Sequence, residues 1–326
     1  MIPLSVLDLV PIREGGNVSE ALQEAGKLAA VAERAGYKRF WVAEHHATPG
    51  IAGGAASVVL AHIGHATSTI RIGSGGIMLP NHNPFVIAEQ FGTLDALFPG
   101  RIDLGLGRAP GASGIIARAL RKDLHRAAEQ FPQDVVELRA LLTGDVDLPI
   151  TATPGLGAKV ELWMLGSSLF GAQLAARLGM PYAFASHFAP DHLDAALETY
   201  RTQFRPSETL DKPHAMAAMT AIAAETDAEA ELLASSQDQG FVRLRSGDPG
   251  KLPPPVKDYR ASLPVSAQAM LEHLSVARAV GSPATVRERI ARFVERTRAD
   301  ELILSGATFD PAARHRSLEL VMEAMA

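Results

Sequence analysis

The chain of 326 residues contains no cysteine. A disulfide framework, a thiolate nucleophile and a thiolate metal site are therefore excluded. The sequence also has no long run of one charge sign, and its formal net charge is only −5, which argues against nucleic acid as a main partner. It has no apolar stretch of bilayer-spanning length and no signal-peptide pattern at its start, so we expect a cytoplasmic protein with no membrane partner.

Hydrophobic residues make up 47% of the chain, which is enough for one large core or for two of ordinary size. A barrel of alternating strands and helices needs about 250 residues. We therefore expect residues 1–326 to form a single α/β barrel domain that carries insertions.

Strand and helix patterns alternate along the chain. Residues 2–9 are apolar, and residues 19–35 show a helical spacing of apolar residues before Gly36, which is typical of a helix end. The next strand patterns recur about 30 residues apart, the length of a βα unit, and this favours a parallel sheet. In all we predict eight strands, at 2–9, 40–43, 70–73, 102–105, 160–165, 182–186, 215–223 and 301–305. Helices are predicted at 171–178, 189–204 and 284–298.

Two segments interrupt this alternation, namely 143–159 and 240–264. Both are rich in residues that break regular structure, and 240–264 contains three consecutive prolines. Loops of this length inside a compact domain are usually functional. We interpret both as insertions at the catalytic rim and 240–264 as a lid, the alternative for 240–264 being a disordered surface excursion.

Three of the predicted strands end in residues suited to chemistry. The strand at 40–43 is followed by Glu44-His45-His46, the strand at 70–73 by Ser74-Gly75-Gly76, and the strand at 102–105 by Leu106-Gly107-Arg108. In a barrel of parallel strands these ends share one rim, where such barrels carry their active sites. The sequence therefore predicts the position of a site before it predicts a reaction.

The glycine-rich loop 105–111 does not fit a dinucleotide-binding fingerprint. The third glycine comes one residue late, and Pro110 interrupts the turn that should enter a helix. Arg108 in this loop is better explained as an anion clamp, because a guanidinium group is permanently charged and can hold a phosphate with two bonds. The alternative is an ion pair between Arg108 and a carboxylate of the rim.

A second anion-binding feature lies at 165–171. Ser167 and Ser168 follow a strand and open a helix, so their hydroxyls and the free backbone N–H groups could converge on a phosphate. A serine that only caps the helix would give the same local sequence. Together with Arg108 on a neighbouring strand end, the segment describes a site for one phosphate with space beside it for the rest of a mononucleotide.

The histidines divide into two groups. His45 and His46 are adjacent on an extended chain and should point in opposite directions, so only one should face the pocket. His62 and His65 are three apart on a helix, but their position towards the opposite rim argues against a metal site, and we predict none. Two further histidines of the productive rim are candidates for the pocket wall, His82 and His187.

Four motifs in fixed order resemble the bacterial luciferase-like flavin monooxygenases. They are EHH at 44–46, GSGGIMLPNHNP at 73–84, FPGRIDLGLGR at 98–108 and GSS at 166–168. The resemblance extends from Pro3 to about Gly306 and is closer to members of unknown substrate than to the light-emitting enzymes. It implies a TIM (β/α)8 barrel that binds reduced FMN, or in a sister branch the deazaflavin F420, at the C-terminal rim.

The resemblance also implies roles for single residues. His45 matches the active-site histidine beside the flavin ring, and Gly75-Gly76 matches a pair joined by a cis peptide that presses against the isoalloxazine. Arg108, Ser167 and Ser168 match the phosphate site. The other expected cofactor contacts and pocket-wall residues are Val6, Leu7, Met78 and Gly171.

This chain departs from the luciferases at two places. Gly107 replaces a reactive cysteine that is not essential to flavin chemistry. Gly166-Ser167 replaces an acidic residue, which leaves the phosphate pocket less acidic.

The residues show no acid/base pair or nucleophile sufficient for hydrolysis, so the difficult chemistry should belong to the cofactor. We expect a monooxygenase that uses reduced FMN and O2 to oxygenate a small organic substrate of carbonyl type, with proton transfer assisted by His45. No nicotinamide fingerprint is visible, so a separate flavin reductase should supply reduced FMN. We also expect a homo-oligomer, most simply a homodimer. The alternatives are an F420-dependent hydride-transfer oxidoreductase and a non-catalytic flavin-binding protein.

Overall fold

The computed structural model describes residues 2–109, 118–120, 123–146 and 149–326. Pro110 and Gly111 of the predicted glycine-rich loop lie outside the described residues, as do residues 147 and 148 of the segment 143–159. The strands are β1 (Leu4–Asp8), β2 (Arg39–Val42), β3 (Arg71–Met78), β4 (Ile102–Gly107), β5 (Glu161–Gly166), β6 (Tyr182–Phe184), β7 (Ala215–Ala223), β8 (Arg278–Gly281) and β9 (Glu301–Ser305).

The strands form a closed parallel barrel. Strands β1 to β6 pair in sequence order, β6 pairs with β7, β7 with β9, and β9 with β1. All eight predicted strands belong to this ring, which confirms the predicted TIM barrel. Because every strand runs in the same direction, the carboxyl ends of all eight meet at one rim.

Strand β8 was missed in the sequence. It pairs only with the last four residues of β7, where Ala223 lies opposite Gly281. Strand β7 is nine residues long, so its first half closes the barrel while its end extends far enough to take this extra partner. Its four residues include Arg278 and Gly281, so its apolar run is only two residues long and gives no strand pattern.

Helices connect the strands and surround the barrel. They are α1 (Val18–Ala35), α2 (Ala56–Ala66), α3 (Pro84–Leu97), α4 (Leu124–Thr143), α5 (Leu169–Leu178), α6 (Leu193–Gln203), α7 (Asp227–Arg245), α8 (Tyr259–Ser262), α9 (Val265–Leu274), α10 (Pro283–Thr297) and α11 (Pro311–Met325). Helix α1 ends as predicted at Gly36, whose φ of 92° is a left-handed conformation that glycine adopts without strain. None of the described helices has the length and hydropathy that crossing a bilayer requires.

Side chains alternate along each strand between the helices and the barrel interior. In β1, Val6 packs in the outer core against the helices, whereas Leu7 packs inside the barrel. The sequence interpretation that put Val6 in the pocket wall is therefore wrong. Leu7 shares the interior with seven buried residues, namely Trp41, Ala43, Trp163, Ala183, Met216, Ala218 and Ile303.

A buried ion network fills the N-terminal end of the barrel. Arg39 donates to Asp103 at 2.9 Å and to Glu301 at 2.9 Å, and both carboxylates are fully buried. Arg71 and the indole of Trp41 also donate to Asp103. Burial raises the pKa of Asp103, although the charges of Arg39 and Arg71 oppose that shift. Paired charges therefore occupy the interior of the barrel at this end, opposite the rim at which the sequence predicts the site.

The segment 143–159 lies at the N-terminal end and not at the catalytic rim, which corrects our interpretation. It leads from the end of α4 to the start of β5, and the end of a barrel helix lies beside the start of the next strand. The amide of Lys159 donates to Asp95 near the end of α3, and Gly157 donates to Leu142 of α4.

The segment 240–264 lies at the C-terminal rim. Its first six residues belong to α7 and not to a loop, and α8 interrupts the remainder. The irregular part is bonded to loops that follow β1 and β2. The Leu252 amide donates to Ile12, the Glu14 amide donates to Leu252, and Gly250 lies against Gly50.

Candidate active site

The C-terminal ends of β2, β3, β4 and β5 carry the predicted site residues. These strands are neighbours in the barrel, with Val42 opposite Ser74, Met78 opposite Gly107, and Gly107 opposite Leu165. The EHH motif, the glycine pair, Arg108 and the two serines therefore lie side by side along one arc of the rim.

His45 is largely enclosed by protein just after β2. Burial lowers its pKa, the charge of Glu44 opposes that shift, and His46 adds to it. The imidazole is therefore neutral near pH 7, with one nitrogen able to accept a proton and the other able to donate one.

His46 is bonded to Glu44. Its Nε2 donates to Oε1 of Glu44 at 2.5 Å, and its side chain is 20% exposed. Glu44 accepts a second bond from Nε2 of His82 at 2.6 Å and a third from the Met78 amide at 2.8 Å. Burial alone would raise the pKa of Glu44, but the bonds and charges of His82, Met78 and His46 lower it below the ordinary value.

Glu44 is the residue whose importance the sequence did not reveal. It ties the end of β2 to the end of β3 and to the loop that carries His82. The only signal in the sequence was an acidic residue shortly after a buried strand, followed by two histidines. Which side chain it would meet could not be inferred from spacing.

His187 lies in the loop after β6, also on the rim. Its Nδ1 atom is buried and has no hydrogen-bond partner among the residues that the structure describes, although the residue as a whole keeps some exposure. Burial, with a smaller effect from His45, lowers the pKa of His187 to about 4. A buried polar atom without a partner is unfavourable unless something else bonds to it.

Gly75 and Gly76 are joined by a cis peptide bond, as the resemblance implied. A Cβ at Gly75 would lie 2.7 Å from Leu7 and 3.0 Å from Trp41, and a Cβ at Gly76 would lie 2.6 Å from the carbonyl oxygen of Gly105. The barrel wall thus requires glycine at both positions. Leu7 packs directly beneath the pair.

Met78 ends β3 and follows the same arc. Its amide is used by Glu44, and its sulfur lies 3.7 Å from the side-chain amide of Asn81. Its residue is partly exposed at the rim, as a wall residue would be.

Arg108 follows β4 and is exposed. Its guanidinium carbon lies 4.1 Å from the ring centroid of Phe170, in the first turn of α5. Among the described residues Arg108 forms no ion pair, so the alternative of a carboxylate partner at the rim finds no support there. Phe170, which the sequence did not point out, places the arginine beside the start of α5.

Ser167 and Ser168 lie between β5 and α5. Ser168 has the extended backbone of an N-cap, but its side chain makes no capping hydrogen bond. The hydroxyl is therefore not used as the capping alternative requires. Gly171 lies one turn further on, where a Cβ would lie in ordinary contact, 3.4 Å from Tyr182 and 3.5 Å from the carbonyl oxygen of Leu165.

His62 and His65 lie on α2 and are exposed, away from the arc. The Nδ1 of His65 donates to the carbonyl oxygen of Ala61 in its own helix. They take no part in the candidate site.

A model of luciferase-like monooxygenases matches residues 2–301. The chain belongs to this family. It is therefore an oxidoreductase, and the predicted family resemblance is confirmed.

Two relatives of this luciferase-like protein are similar to it in sequence over most of their length. A luciferase-like monooxygenase of Escherichia coli K12 is 47% identical over 323 residues, covering 99% of this chain and 96% of the relative. The N-acetyl-S-alkylcysteine monooxygenase of Bacillus subtilis is 36% identical over 254 residues, covering 76% of this chain and 75% of that protein.

Solved structures confirm the fold of the luciferase-like chain. The crystal structure of apo-MsnO8 matches with a TM-score of 0.89 at 36% identity, covering 100% of this chain and 98% of that one. A type II Baeyer–Villiger monooxygenase from Pseudomonas putida in complex with FMN has a TM-score of 0.71 at 17% identity, and the match covers 99% of this chain and 97% of that one. An F420-dependent secondary alcohol dehydrogenase has a TM-score of 0.73 at 16% identity, and the match covers 100% of this chain and 99% of that one.

Proposed function

We propose that this luciferase-like protein is a monooxygenase that uses reduced FMN and O2 to oxygenate a small organic substrate of carbonyl type. The observation that carries the proposal is that Arg108, the two serines and His45 follow neighbouring strands on one arc of the rim. In this proposal Arg108 and the serines form a pocket for an anion, and His45 provides a neutral imidazole.

The pocket suits the phosphate of a mononucleotide. Arg108 is held beside the start of α5 by its stacking on Phe170, and the Ser168 hydroxyl makes no capping bond. The first amide groups of a helix and its positive dipole end add to the attraction for an anion. The residues therefore fit the FMN phosphate, with Ser167 as a further donor and the backbone of Gly171 in the first turn of the helix.

The rest of the cofactor would lie along β3 and β1. The glycine pair carries no side chains, Leu7 packs against Gly75, and Met78 follows the pair at the end of β3. Because glycine has no side chain, an aromatic ring system could approach the backbone here more closely than at any other residue type. When bound, reduced FMN supplies the electrons and the reaction with O2, which no side chain of this protein can supply.

The chain's own imidazoles would handle protons and polar atoms. His45 would take or give one proton at the reacting centre. His187 would offer its buried Nδ1 to a polar atom of the substrate, because that atom is otherwise unpaired. The rim segment 240–264 would exclude water during the reaction as a lid.

The substrate class is a proposal from chemistry and from relatives. A B. subtilis relative acts as an N-acetyl-S-alkylcysteine monooxygenase, so thioethers belong beside aldehydes and ketones in any substrate panel. We also propose a separate reductase as the source of reduced FMN, a cytoplasmic location and a homodimeric assembly.

The alternative with specific support is F420-dependent hydride transfer, because an F420-dependent alcohol dehydrogenase shares the fold. Product analysis separates the two functions, because only the monooxygenase transfers an oxygen atom from O2 to the substrate, whereas free reduced FMN consumes O2 without forming that product. A flavin-binding protein without turnover would bind FMN and show neither reaction.

The proposed role of His45 is tested by His45→Ala. If the imidazole moves a proton, turnover with reduced FMN and O2 should fall about 10²-fold while FMN affinity stays within about twofold. His62→Ala, which removes an exposed imidazole on α2, is the matched control and should retain wild-type turnover. Wild-type single-turnover kinetics in His45→Ala would contradict the role.

A further inference from the structure

Three side chains with metal-binding atoms converge on one point of the rim. Oε1 of Glu44, Nε2 of His46 and Nε2 of His82 all lie within 4.8 Å of one another. Within the part of the chain that the structure describes, this is the one such group of three or more histidine or acidic side chains. Both imidazoles present the same nitrogen to the same carboxylate oxygen.

The three ligand atoms are held in place by separate elements. Glu44 and His46 follow β2, while His82 follows the short 3₁₀ turn Leu79–Asn81 after β3. The second oxygen of Glu44 is held at 2.8 Å by the Met78 amide, which fixes the plane of the carboxylate. A carboxylate oriented by an outer hydrogen bond is the usual state of a metal ligand.

One side of the group is open. The side chain of Glu44 is 1% exposed, whereas those of His46 and His82 are 20% and 27% exposed. An ion could therefore enter from solvent, meet a buried negative charge, and keep water in its remaining coordination positions. Two imidazoles and one carboxylate with open positions form a donor set that suits divalent first-row transition metals.

The distances between the imidazole nitrogens and Oε1 of Glu44 show how far these atoms must move to bind an ion. The two N···O separations of 2.5 and 2.6 Å are hydrogen bonds. Ligand atoms that share an ion at about 2.0–2.2 Å lie about 3 Å or more apart. The imidazoles must therefore withdraw from Oε1 by about half an ångström, and their partial exposure leaves room for this movement.

We propose that Glu44, His46 and His82 form a binding site for one divalent transition-metal ion. The site is distinct from the proposed flavin chemistry, because it uses His46 and the carboxylate and not His45. An ion there replaces the two imidazole hydrogen bonds and joins the ends of β2 and β3 through one centre.

The test is a titration of the chelator-treated full-length protein, without flavin, with Co²⁺ and then Zn²⁺. We expect one Co²⁺ per chain, visible absorption bands of nitrogen and oxygen coordination, and displacement by Zn²⁺. His46→Ala and His82→Ala should each weaken Zn²⁺ binding roughly tenfold or more in calorimetry, because each removes one of three protein ligands. The double variant His62→Ala/His65→Ala removes two exposed imidazoles elsewhere and should leave binding unchanged.

Two outcomes would overturn the proposal. One is the absence of stoichiometric binding to the wild type, and the other is loss of binding in the His62/His65 variant but not in the other two. If a histidine variant does not fold, the anomalous scattering of wild-type crystals soaked in Zn²⁺ decides the question. A peak among the three side chains supports the site, and a peak elsewhere or none at all contradicts it.

Discussion

At the scale of single residues, Arg108 is the most informative charge of the rim. It is exposed, forms no ion pair among the described residues, and stacks on Phe170 beside the start of α5. Arg108→Ala should weaken FMN by about 1.5–3 kcal/mol, the value of a hydrogen bond to a charged group, and should leave riboflavin nearly unaffected. Fluorescence titrations with both ligands measure the difference.

The matched control for that variant is Arg177→Ala, which removes an exposed arginine near the other end of α5. It should bind both ligands as the wild type does. Equal losses of FMN and riboflavin in Arg108→Ala would mean that the arginine does not contact the phosphate.

His187 gives a prediction for pH. Its pKa of about 4 in the folded protein lies below the ordinary value of about 6.5. As pH falls from about 6.5 to about 4, His187 is protonated in the unfolded chain but stays neutral in the folded protein. The free energy of unfolding therefore decreases in that range. The loss is at most about 3 kcal/mol.

Urea unfolding at pH 7 and pH 4.5 measures this loss. The wild type should lose more of its free energy of unfolding than His187→Gln, which cannot titrate, while His62→Gln should behave as the wild type. An identical loss in wild type and His187→Gln would show that His187 is protonated in the folded protein.

At the scale of elements, strand order was predictable and strand orientation was only partly so. The repeat of about 30 residues between the first strand patterns and the apolar segments further along are local information, and together they predicted the eight barrel strands and the rim that carries His45, Arg108 and Ser167. Alternate side chains of a strand face the barrel interior, so an error of one residue in the alternation put Val6 on the wrong face of β1. The bonds of Glu44 join segments over 30 residues apart, and no local pattern encodes them.

The rim segment 240–264 gives a prediction at the same scale. A Cβ at Gly50 would lie 2.0 Å from the carbonyl oxygen of Gly250, so Gly50→Ala must push the segment away from the loops that hold it. The barrel should remain folded, but more hydrogen peroxide should be released per O2 consumed because water enters the site. Gly240→Ala, whose Cβ would meet nothing within 4 Å, is the control.

Unchanged coupling of O2 use to product in Gly50→Ala would mean that the position of the segment does not matter for the reaction. Wild-type coupling in Gly240→Ala alone would attribute the effect to displacement and not to a change in glycine content.

At the scale of the whole molecule, the barrel has one closed and one open end. The network of Arg39, Asp103 and Glu301 fills the N-terminal end with paired charges, and the chemistry-bearing residues line the other. The segment 143–159 was assigned to the wrong end because irregular composition indicates a loop but not its side. The position of the segment, after a helix and before a strand, shows that it lies at the N-terminal end of the barrel.

The central claim is that this luciferase-like protein works with reduced FMN and not with F420. Anaerobic equilibrium dialysis of the purified protein against reduced FMN and F420 together tests it most directly. The pocket of Arg108, Ser167 and Ser168 beside the glycine pair predicts that one reduced FMN per chain is retained and that F420 is not. Retention of F420 in place of reduced FMN, or of neither, would contradict the account.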